Sequence, residues 1–231
     1  MSLTVFKPEL SGSDVKGVLF DMDGVILDTE KLYCRFWQEA CQAHGYPMTQ
    51  EQALGMRSLN GQAGQAKLES YFGPGISRSQ VRHKRIELMD AYIDIHGVEL
   101  MGGVREILAF LKQRGIATAI ATSSPRERVE RYLAPYGLLP QFDALCSGYD
   151  VPQGKPAPDI YLKAAAMIGL QPEQCLAVED SPAGILSASR AGCRPVFVPD
   201  QDQADEETMQ LLYAHADSLL DIITMIEEEQ P

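Results

Sequence analysis

Acidic, hydroxyl and basic side chains recur in this sequence directly after short apolar runs. These residues could bind metal ions, exchange protons or hold anions: Asp21 and Asp23; the hydroxyls of Thr122, Ser123 and Ser124; Lys155; and the adjacent acids Glu179 and Asp180. If the apolar runs are parallel strands, their carboxyl ends face one crevice, which is where open parallel sheets bind ligands. We therefore expect these side chains to converge.

The acidic residues favour metal-assisted phosphoryl transfer. Asp21 and Asp180 offer the hard oxygen ligands that Mg²⁺ prefers, and Mg²⁺ commonly binds through carboxylates together with a substrate phosphate. An aspartate nucleophile and a phosphate are both anionic, so the metal, Lys155 and the region of Thr122 must neutralise charge. Asp23 could protonate the leaving alcohol and then take a proton from water.

The hydroxyl residues have structural interpretations as well. Ser124 begins a Ser-Pro-Arg-Glu stretch that predicts a helix capping box, with proline at the first helical position. Ser181, before Pro182, predicts the N-cap of another helix. The hydroxyl of Thr122, followed by Ser123 and backbone N–H groups at a helix start, favours a phosphate site.

Lys155 has both a structural and a functional interpretation. An exposed loop lysine is the usual state of this residue, but the flanking prolines stiffen the loop and hold Lys155 in place. A rigidly held cation near several carboxylates predicts charge compensation. Thr122, Ser123 and Lys155 are therefore the candidate phosphate-binding residues.

Alternating apolar runs and helical patterns predict an α/β fold, a Rossmann-like parallel sheet flanked by helices. We place strands near residues 17–20, 116–121, 144–146, 175–178 and 195–198, and a loose leader before about residue 14. Roughly ninety residues of helical pattern separate the first two strands, far more than a crossover requires. The predicted organisation is an α/β core of residues 1–28 and 97–231, with residues 29–96 as an inserted helical cap domain.

Several signals place helices within the insert. A first helix stops at Gly45, Thr49 with Gln52 and Asn60 suggest shorter helices, and a last helix covers residues 77–95.

Composition narrows the classes of partner. A formal charge of -12 argues against a nucleic-acid or anionic-membrane partner, because no basic face is available to release counterions. Five cysteines without a CxxC pair suggest reduced thiols in a cytoplasm. No apolar run approaches the roughly 20 residues that span a bilayer. We expect a cytoplasmic monomer or weak homo-oligomer that acts on a small phosphorylated metabolite.

Four motifs, in this order, resemble the haloacid dehalogenase superfamily, in the branch of β-phosphoglucomutase and related sugar-phosphate phosphatases. They are residues 21–30 (DMDGVILDTE), 120–124 (IATSS), 154–159 (GKPAPD) and 178–184 (VEDSPAG). The resemblance covers nearly the whole chain, and the four motifs together are far more specific than any one alone.

The resemblance implies a role for each of these residues. Asp21 is the expected nucleophile and Asp23 the acid/base. Mg²⁺ is expected on the Asp21 carboxylate, the Asp23 backbone carbonyl and Asp180, with Glu179 holding a metal-bound water. Thr122 and Lys155 would hold the phosphoryl group. The inserted helices would be a mobile cap with hinges near Thr29 and residues 97–103.

The predicted cap departs from the mutase pattern. β-Phosphoglucomutases usually carry a histidine on the first cap helix, where this chain has Tyr33, and their late cap lysine has no clear counterpart. Arg57 is retained in the cap loop and could bind a distal group of the substrate. These features favour a Mg²⁺-dependent phosphatase of sugar or polyol phosphates that forms an aspartyl-phosphate.

Other functions stay open. A mutase is one alternative, and a phosphonate hydrolase with a Schiff-base lysine at Lys67 or Lys84 is another. A dehalogenase needs neither Asp23 nor Asp180, and a non-catalytic phosphate-binding protein usually lacks a catalytic group, whereas this chain has them all.

Overall fold

The computed structural model describes residues 3–6, 15–57, 59, 61–200 and 204–229. The chain divides into two compact units, one formed by Met1–Leu27 with Leu100–Pro231 and the other by Asp28–Glu99. The second unit corresponds to the helical insert that the sequence pattern placed at residues 29–96. That the two units are a catalytic core and a cap stays a prediction.

The first unit contains a sheet that, within the described residues, has seven strands in the order β1-β7-β6-β5-β2-β3-β4. The strands are β1 (Thr4–Val5), β2 (Gly17–Phe20), β3 (Ala117–Thr122), β4 (Ala144–Ser147), β5 (Cys175–Glu179), β6 (Arg194–Phe197) and β7 (Ala214–His215). β1 pairs with β7 in the antiparallel sense, and the other neighbours pair in parallel. The predicted parallel α/β class is confirmed.

β2 is an interior strand, between β5 and β3, and its residues are apolar on both faces. All four residues of Gly17–Phe20 are buried, as expected for a strand that is covered on both sides. The four other predicted strands are also confirmed, with each end within one residue of the predicted position.

The sequence pattern missed β1 and β7. Thr4 pairs with His215 and Val5 with Ala214, so the expectation of a loose leader is wrong for these residues. Leader residues 7–14 lie outside the described residues. A strand of two residues is too short to show an alternating pattern, which explains why the sequence did not reveal this pairing.

The helical unit contains α1 (Glu30–Ala43), α2 (Gln50–Leu54), α3 (Gly61–Phe72) and α4 (Arg78–His96). Thr49 and Gln52 form the predicted capping box, and the Ser77 hydroxyl accepts a hydrogen bond from the backbone N–H of Gln80. Gly45, the predicted stop, follows α1 with φ +82°. The helix start suggested at Asn60 lies outside the described residues.

The remaining helices belong to the first unit. They are α5 (Val104–Arg114), α6 (Arg126–Leu133), α7 (Asp159–Met167), α8 (Pro182–Ala191), α9 (Glu206–Leu211) and α10 (Leu219–Glu229), with short 3-10 turns at Ala134–Tyr136, Leu139–Gln141 and Pro172–Gln174. Helices α7 and α8 contact each other; α7 also contacts β2, β3 and β4, whereas α8 contacts β5 and β6. These two helices therefore hold the loops that follow β4 and β5. Among the described residues, no helix combines the length and apolar character needed to cross a membrane.

Candidate active site

The strand order places the candidate residues side by side. β2 lies between β3 and β5, with Phe20 opposite Ile120 on one side and Val178 on the other. The backbone N–H of Asp21 donates to the Val178 carbonyl at 3.0 Å, which continues the ladder one residue past the strand. Asp21, Thr122 and Glu179 therefore lie side by side at the carboxyl ends of β2, β3 and β5.

The ammonium group of Lys155 links residues at the carboxyl ends of β2, β3 and β5. Its Nζ donates to Asp21 Oδ1 at 2.6 Å, to Glu179 Oε1 at 2.6 Å and to the Ala121 carbonyl at 2.9 Å. Burial opposes the charge on Lys155, but the negative charges of Asp21 and Glu179 prevail and raise the pKa of Lys155 above its ordinary value. The structure therefore places Lys155 among the carboxylates, as the sequence predicted.

Helix α8 holds the Lys155 loop in place. The Ser187 hydroxyl donates to the Ala157 carbonyl at 2.6 Å, and Arg190 Nη1 donates to the Pro156 carbonyl at 3.0 Å. These bonds tie the two residues after Lys155 to a helix that also packs on β5. The position of the ammonium is thus set by the helix and by the carboxylates together.

Glu179 is fully buried and accepts hydrogen bonds at both carboxylate oxygens. Oε1 accepts from Lys155 and from the Tyr161 hydroxyl at 2.6 Å, and Oε2 accepts from the Ser181 hydroxyl at 3.1 Å. Ser181 also caps α8 by accepting from the backbone N–H of Gly184, as predicted. Glu179 thus anchors Lys155, whereas its role in holding a metal-bound water stays a prediction.

Asp21, Glu179 and Asp180 form a buried acidic cluster. One carboxylate oxygen from each lies within 4.8 Å of the others. Gly24 makes this approach possible, since it has φ +80° and a Cβ there would overlap the Asp180 carboxylate. Carboxylate oxygens at this spacing are the donor set that a hard divalent cation prefers, so the residues present fit such an ion.

The protonation of Asp21 reflects the same charge balance. Burial, opposed by the charge of Lys155 and reinforced by Glu179 and Asp23, raises the pKa of Asp21 from 3.8 to about 7. Excess negative charge in a buried site favours a further cation. A divalent ion on the cluster would lower this pKa and keep Asp21 ionised.

Ser124 corrects one structural prediction. The N-cap of α6 is Pro125, and no side chain caps the helix there, so the predicted capping box is wrong. Instead, the buried Ser124 hydroxyl donates to Asp23 Oδ2 at 3.1 Å. The hydroxyl lies one residue before the cap and meets a carboxylate 101 positions away in the chain, a contact that local spacing does not reveal.

Thr122 and Ser123 differ in their surroundings. Thr122 is buried, and its hydroxyl accepts a hydrogen bond from the backbone N–H of Ser124 at 3.1 Å. Ser123 is exposed, and Gly148 of the loop after β4 packs closely against its backbone. Both residues lie where β3 ends and the chain turns into α6. The prediction that either residue binds phosphate depends on this position alone.

The predicted cap residues Tyr33 and Arg57 belong to the helical unit and are half-buried. Arg57 Nε donates to the Leu54 carbonyl at 3.3 Å. The guanidinium of Arg85 lies 4.4 Å from the centre of the Tyr33 ring and 5.1 Å from that of Trp37. From the sequence, Arg85 lies near the expected position of the late cap lysine but receives no role, although its place on the buried face of α4, four residues after Val81, is a usable signal.

Tyr161 is a further residue that sequence reasoning missed. Burial and the charge of Glu179 raise the pKa of Tyr161 well above its ordinary value, so the hydroxyl stays protonated and donates. A tyrosine in the alanine-rich helix α7, six residues after Lys155, is the signal that could have drawn attention to it.

Replacing Gly184 with alanine is expected to lower catalytic activity about tenfold or more. A Cβ on Gly184 would overlap the Glu179 carboxyl group, which must then move and take Lys155 with it. Gly61→Ala is a matched control, because a Cβ at Gly61 meets nothing within 4 Å. Steady-state turnover of the two variants tests this, and equal activity in both would contradict the packing argument.

The parallel α/β sheet therefore carries a buried acidic site with a lysine at the carboxyl ends of β2 and β5. The chain belongs to the haloacid dehalogenase-like hydrolase family, whose profile matches residues 15–192. This confirms the predicted family and the hydrolase class.

Some similar proteins are named as phosphatases, and others have names that state no activity. The chain is 33% identical to protein CbbY of Rhodobacter capsulatus, over 81% of this chain and 87% of that protein. It is 29% identical to hexitol phosphatase B of Escherichia coli K12, over 90% of this chain and 94% of that protein. The crystal structure of CbbY from Rhodobacter sphaeroides in complex with phosphate is similar, with a TM-score of 0.70, 26% identity and coverage of 82% and 90%.

Proposed function

We propose that this protein is a Mg²⁺-dependent phosphatase that hydrolyses a sugar or polyol phosphate through an aspartyl-phosphate intermediate. The observation that carries the proposal is the Lys155 ammonium held between Asp21 and Glu179, beside the acidic cluster that includes Asp180. The name of hexitol phosphatase B supports the substrate class, and the phosphate-bound CbbY structure supports a phosphate ligand.

In the first half of the reaction, an Asp21 oxygen attacks phosphorus and the bond from phosphorus to the substrate oxygen breaks. The departing alkoxide takes a proton from the Asp23 carboxyl, and the alcohol leaves. The Ser124 hydroxyl holds Asp23 Oδ2 and so orients this carboxyl. Asp21 must be ionised to attack, and the nearby Lys155 ammonium favours that state.

In the second half, a water oxygen attacks phosphorus and the bond to Asp21 breaks. Asp23, now a carboxylate, takes the proton from this water, and inorganic phosphate leaves. Asp21 and Asp23 are thereby restored to their starting states. The reciprocal duty of Asp23 explains why a second acid is needed two residues after the nucleophile.

The remaining site residues bind and orient the phosphoryl group. Lys155, Thr122 and Ser123 offer an ammonium and hydroxyls at the sheet edge. The residues that would hold Mg²⁺ are Asp21, Asp180 and the Asp23 backbone carbonyl, with Glu179 reaching a bound water. When bound, Mg²⁺ supplies positive charge that offsets the repulsion between the phosphate and the nucleophile.

We assign the helical unit the role of a cap that selects the substrate, with Tyr33 and Arg57 as candidate contacts. The proposed hinges lie near Thr29 and residues 97–103, a segment in which Gly97 and Gly103 have φ values of +74° and +87°. Glycines at positive φ mark the turns that re-enter the first unit. The free cysteines among the described residues fit a reducing cytoplasm, and we propose that the protein acts there as a monomer or weak homo-oligomer.

The helical unit disfavours a phosphonate hydrolase. A Schiff-base lysine is activated by desolvation in an apolar pocket or by a neighbouring cation. Lys67 is exposed with its Nζ 5.3 Å from the Tyr71 ring centre, and Lys84 donates to Glu87 at 2.8 Å on the surface of α4. Neither lysine has the surroundings that this chemistry requires.

The test is a panel of hexose, pentose and polyol phosphates and β-glucose 1-phosphate, each assayed with Mg²⁺ and with EDTA. Mg²⁺-dependent release of inorganic phosphate is the expected result. If the sugar phosphate is isomerised and no phosphate is released, the protein is a mutase and not a phosphatase. Binding of the sugar phosphates without any reaction would make the protein a non-catalytic binder.

A further inference from the structure

Tyr161 contacts both Glu179 and Lys155, which form a buried ion pair next to Asp21. Its hydroxyl donates to Glu179 Oε1 at 2.6 Å, and the Nζ of Lys155 lies 5.1 Å from the centre of its ring. We propose that Tyr161 is a positioning residue of the phosphoryl site, which sets where Glu179 holds the Lys155 ammonium. This inference rests on the proposed function.

The surroundings of Tyr161 leave its hydroxyl few alternatives. The side chain is fully buried, and it packs in a cluster that is rich in small residues, among them Ala119, Ala121, Ala164, Ala165, Ala177 and Ala188. A hydroxyl in such apolar surroundings is costly unless it forms a hydrogen bond. The small residues therefore make room for a ring whose polar tip reaches Glu179.

The hydroxyl and Lys155 share one acceptor, and this gives Tyr161 its effect on the site. Glu179 Oε1 accepts from both groups at 2.6 Å. A second hydrogen-bond donor on Oε1 weakens the attraction between this carboxylate and the Lys155 ammonium. Without the hydroxyl, Glu179 would draw Lys155 more strongly and away from Asp21 and the phosphoryl oxygens.

Inorganic phosphate, titrated calorimetrically in the presence of Mg²⁺, is the probe. Tyr161→Phe keeps the ring and removes the hydroxyl, and we expect phosphate affinity to fall about tenfold, the loss typical of one hydrogen bond to a charged group. We expect kcat/KM for the best substrate of the panel to fall at least as much. Circular dichroism checks that the variant is folded, and Tyr161→Met is the reserve variant if it is not.

A double-mutant cycle separates positioning from packing. In a Glu179→Gln background the neutral amide no longer tethers Lys155 by charge, so Tyr161→Phe should change phosphate affinity less than about twofold. Tyr213→Phe is the matched control, because Tyr213 is 1% exposed and has the Arg194 guanidinium 5.8 Å from its ring centre. Its backbone N–H donates to the Pro195 carbonyl of β6 at 2.8 Å, and phosphate affinity should be unchanged.

The outcomes distinguish the two proposals. Wild-type affinity and turnover in Tyr161→Phe would overturn the role of Tyr161 while the phosphatase stands. Equal losses in Tyr161→Phe and Tyr213→Phe, or additive losses in the cycle, would also overturn it. If the wild type binds phosphate but hydrolyses nothing, the proposed function fails, and the phosphate titrations still decide the role of Tyr161.

Discussion

Asparagine in place of Asp21 is expected to abolish phosphate release, with a loss on the order of 10⁴-fold or more. The amide oxygen is a poor nucleophile, although the side chain has the same shape. Mg²⁺-dependent phosphate release measures the loss, and rapid quenching of the wild type should capture phosphorylated protein that the variant does not form. Asp205→Asn is the control, since Asp205 caps α9 and asparagine caps helices equally well.

The same variant has a stability signature that shows whether the site is intact. Because burial raises the pKa of Asp21 to about 7, the folded protein holds a proton that the unfolded chain has lost above about pH 4. Without metal, the contribution of Asp21 to stability therefore becomes less favourable as the pH rises from about 4 to about 7, and it stays unfavourable above that.

Asp21→Asn removes this cost. In EDTA above about pH 7 the variant should be more stable than the wild type, and the difference should shrink toward pH 4. Urea unfolding at several pH values measures it. Turnover within tenfold of the wild type would refute the nucleophile assignment, whereas an unfolded variant would show that Asp21 is needed for the fold as well.

Removing the Lys155 ammonium is expected to have the second large effect. Lys155→Met leaves Asp21 and Glu179 buried without the cation that lies 2.6 Å from each. Breaking a buried ion pair from one side costs about 3–5 kcal/mol, because the remaining charges lose their partner and do not regain water. Phosphate release should fall by about 10³-fold or more, since phosphoryl charge stabilisation is lost as well.

Lys163→Met is the matched control for this variant. Lys163 lies on α7 and donates to the Asp150 carbonyl in an exposed contact, so its loss should change the free energy of unfolding by less than about 0.5 kcal/mol. Urea unfolding in EDTA compares the two proteins. If the Lys155→Met and Lys163→Met proteins are equally stable and equally active, the ion pair contributes neither to the stability of the fold nor to catalysis.

Local pattern was sufficient for strands β2 to β6 and for many of the helix starts. The run Gly17–Phe20 is short and apolar at every position, which is typical of a strand buried on both faces. Thr49 and Ser77 cap helices by bonds to residues three positions away. Such contacts span one turn or one strand, so spacing alone encodes them. The pairing of Thr4–Val5 with Ala214–His215 joins the two ends of the chain and has no local signal.

What the sequence by itself determined is therefore the set of chemical groups and the sheet edge at which they lie. Asp21, Thr122, Lys155 and Asp180 follow strands or stiff loops, and parallel topology brings strand ends together whatever the side chains do next. Only the tertiary structure decided which groups form hydrogen bonds with each other: the Ser124 hydroxyl donates to Asp23, and the Tyr161 hydroxyl donates to Glu179. Those bonds join residues from different elements, so local spacing does not encode them, although a buried hydroxyl needs an acceptor somewhere in the core.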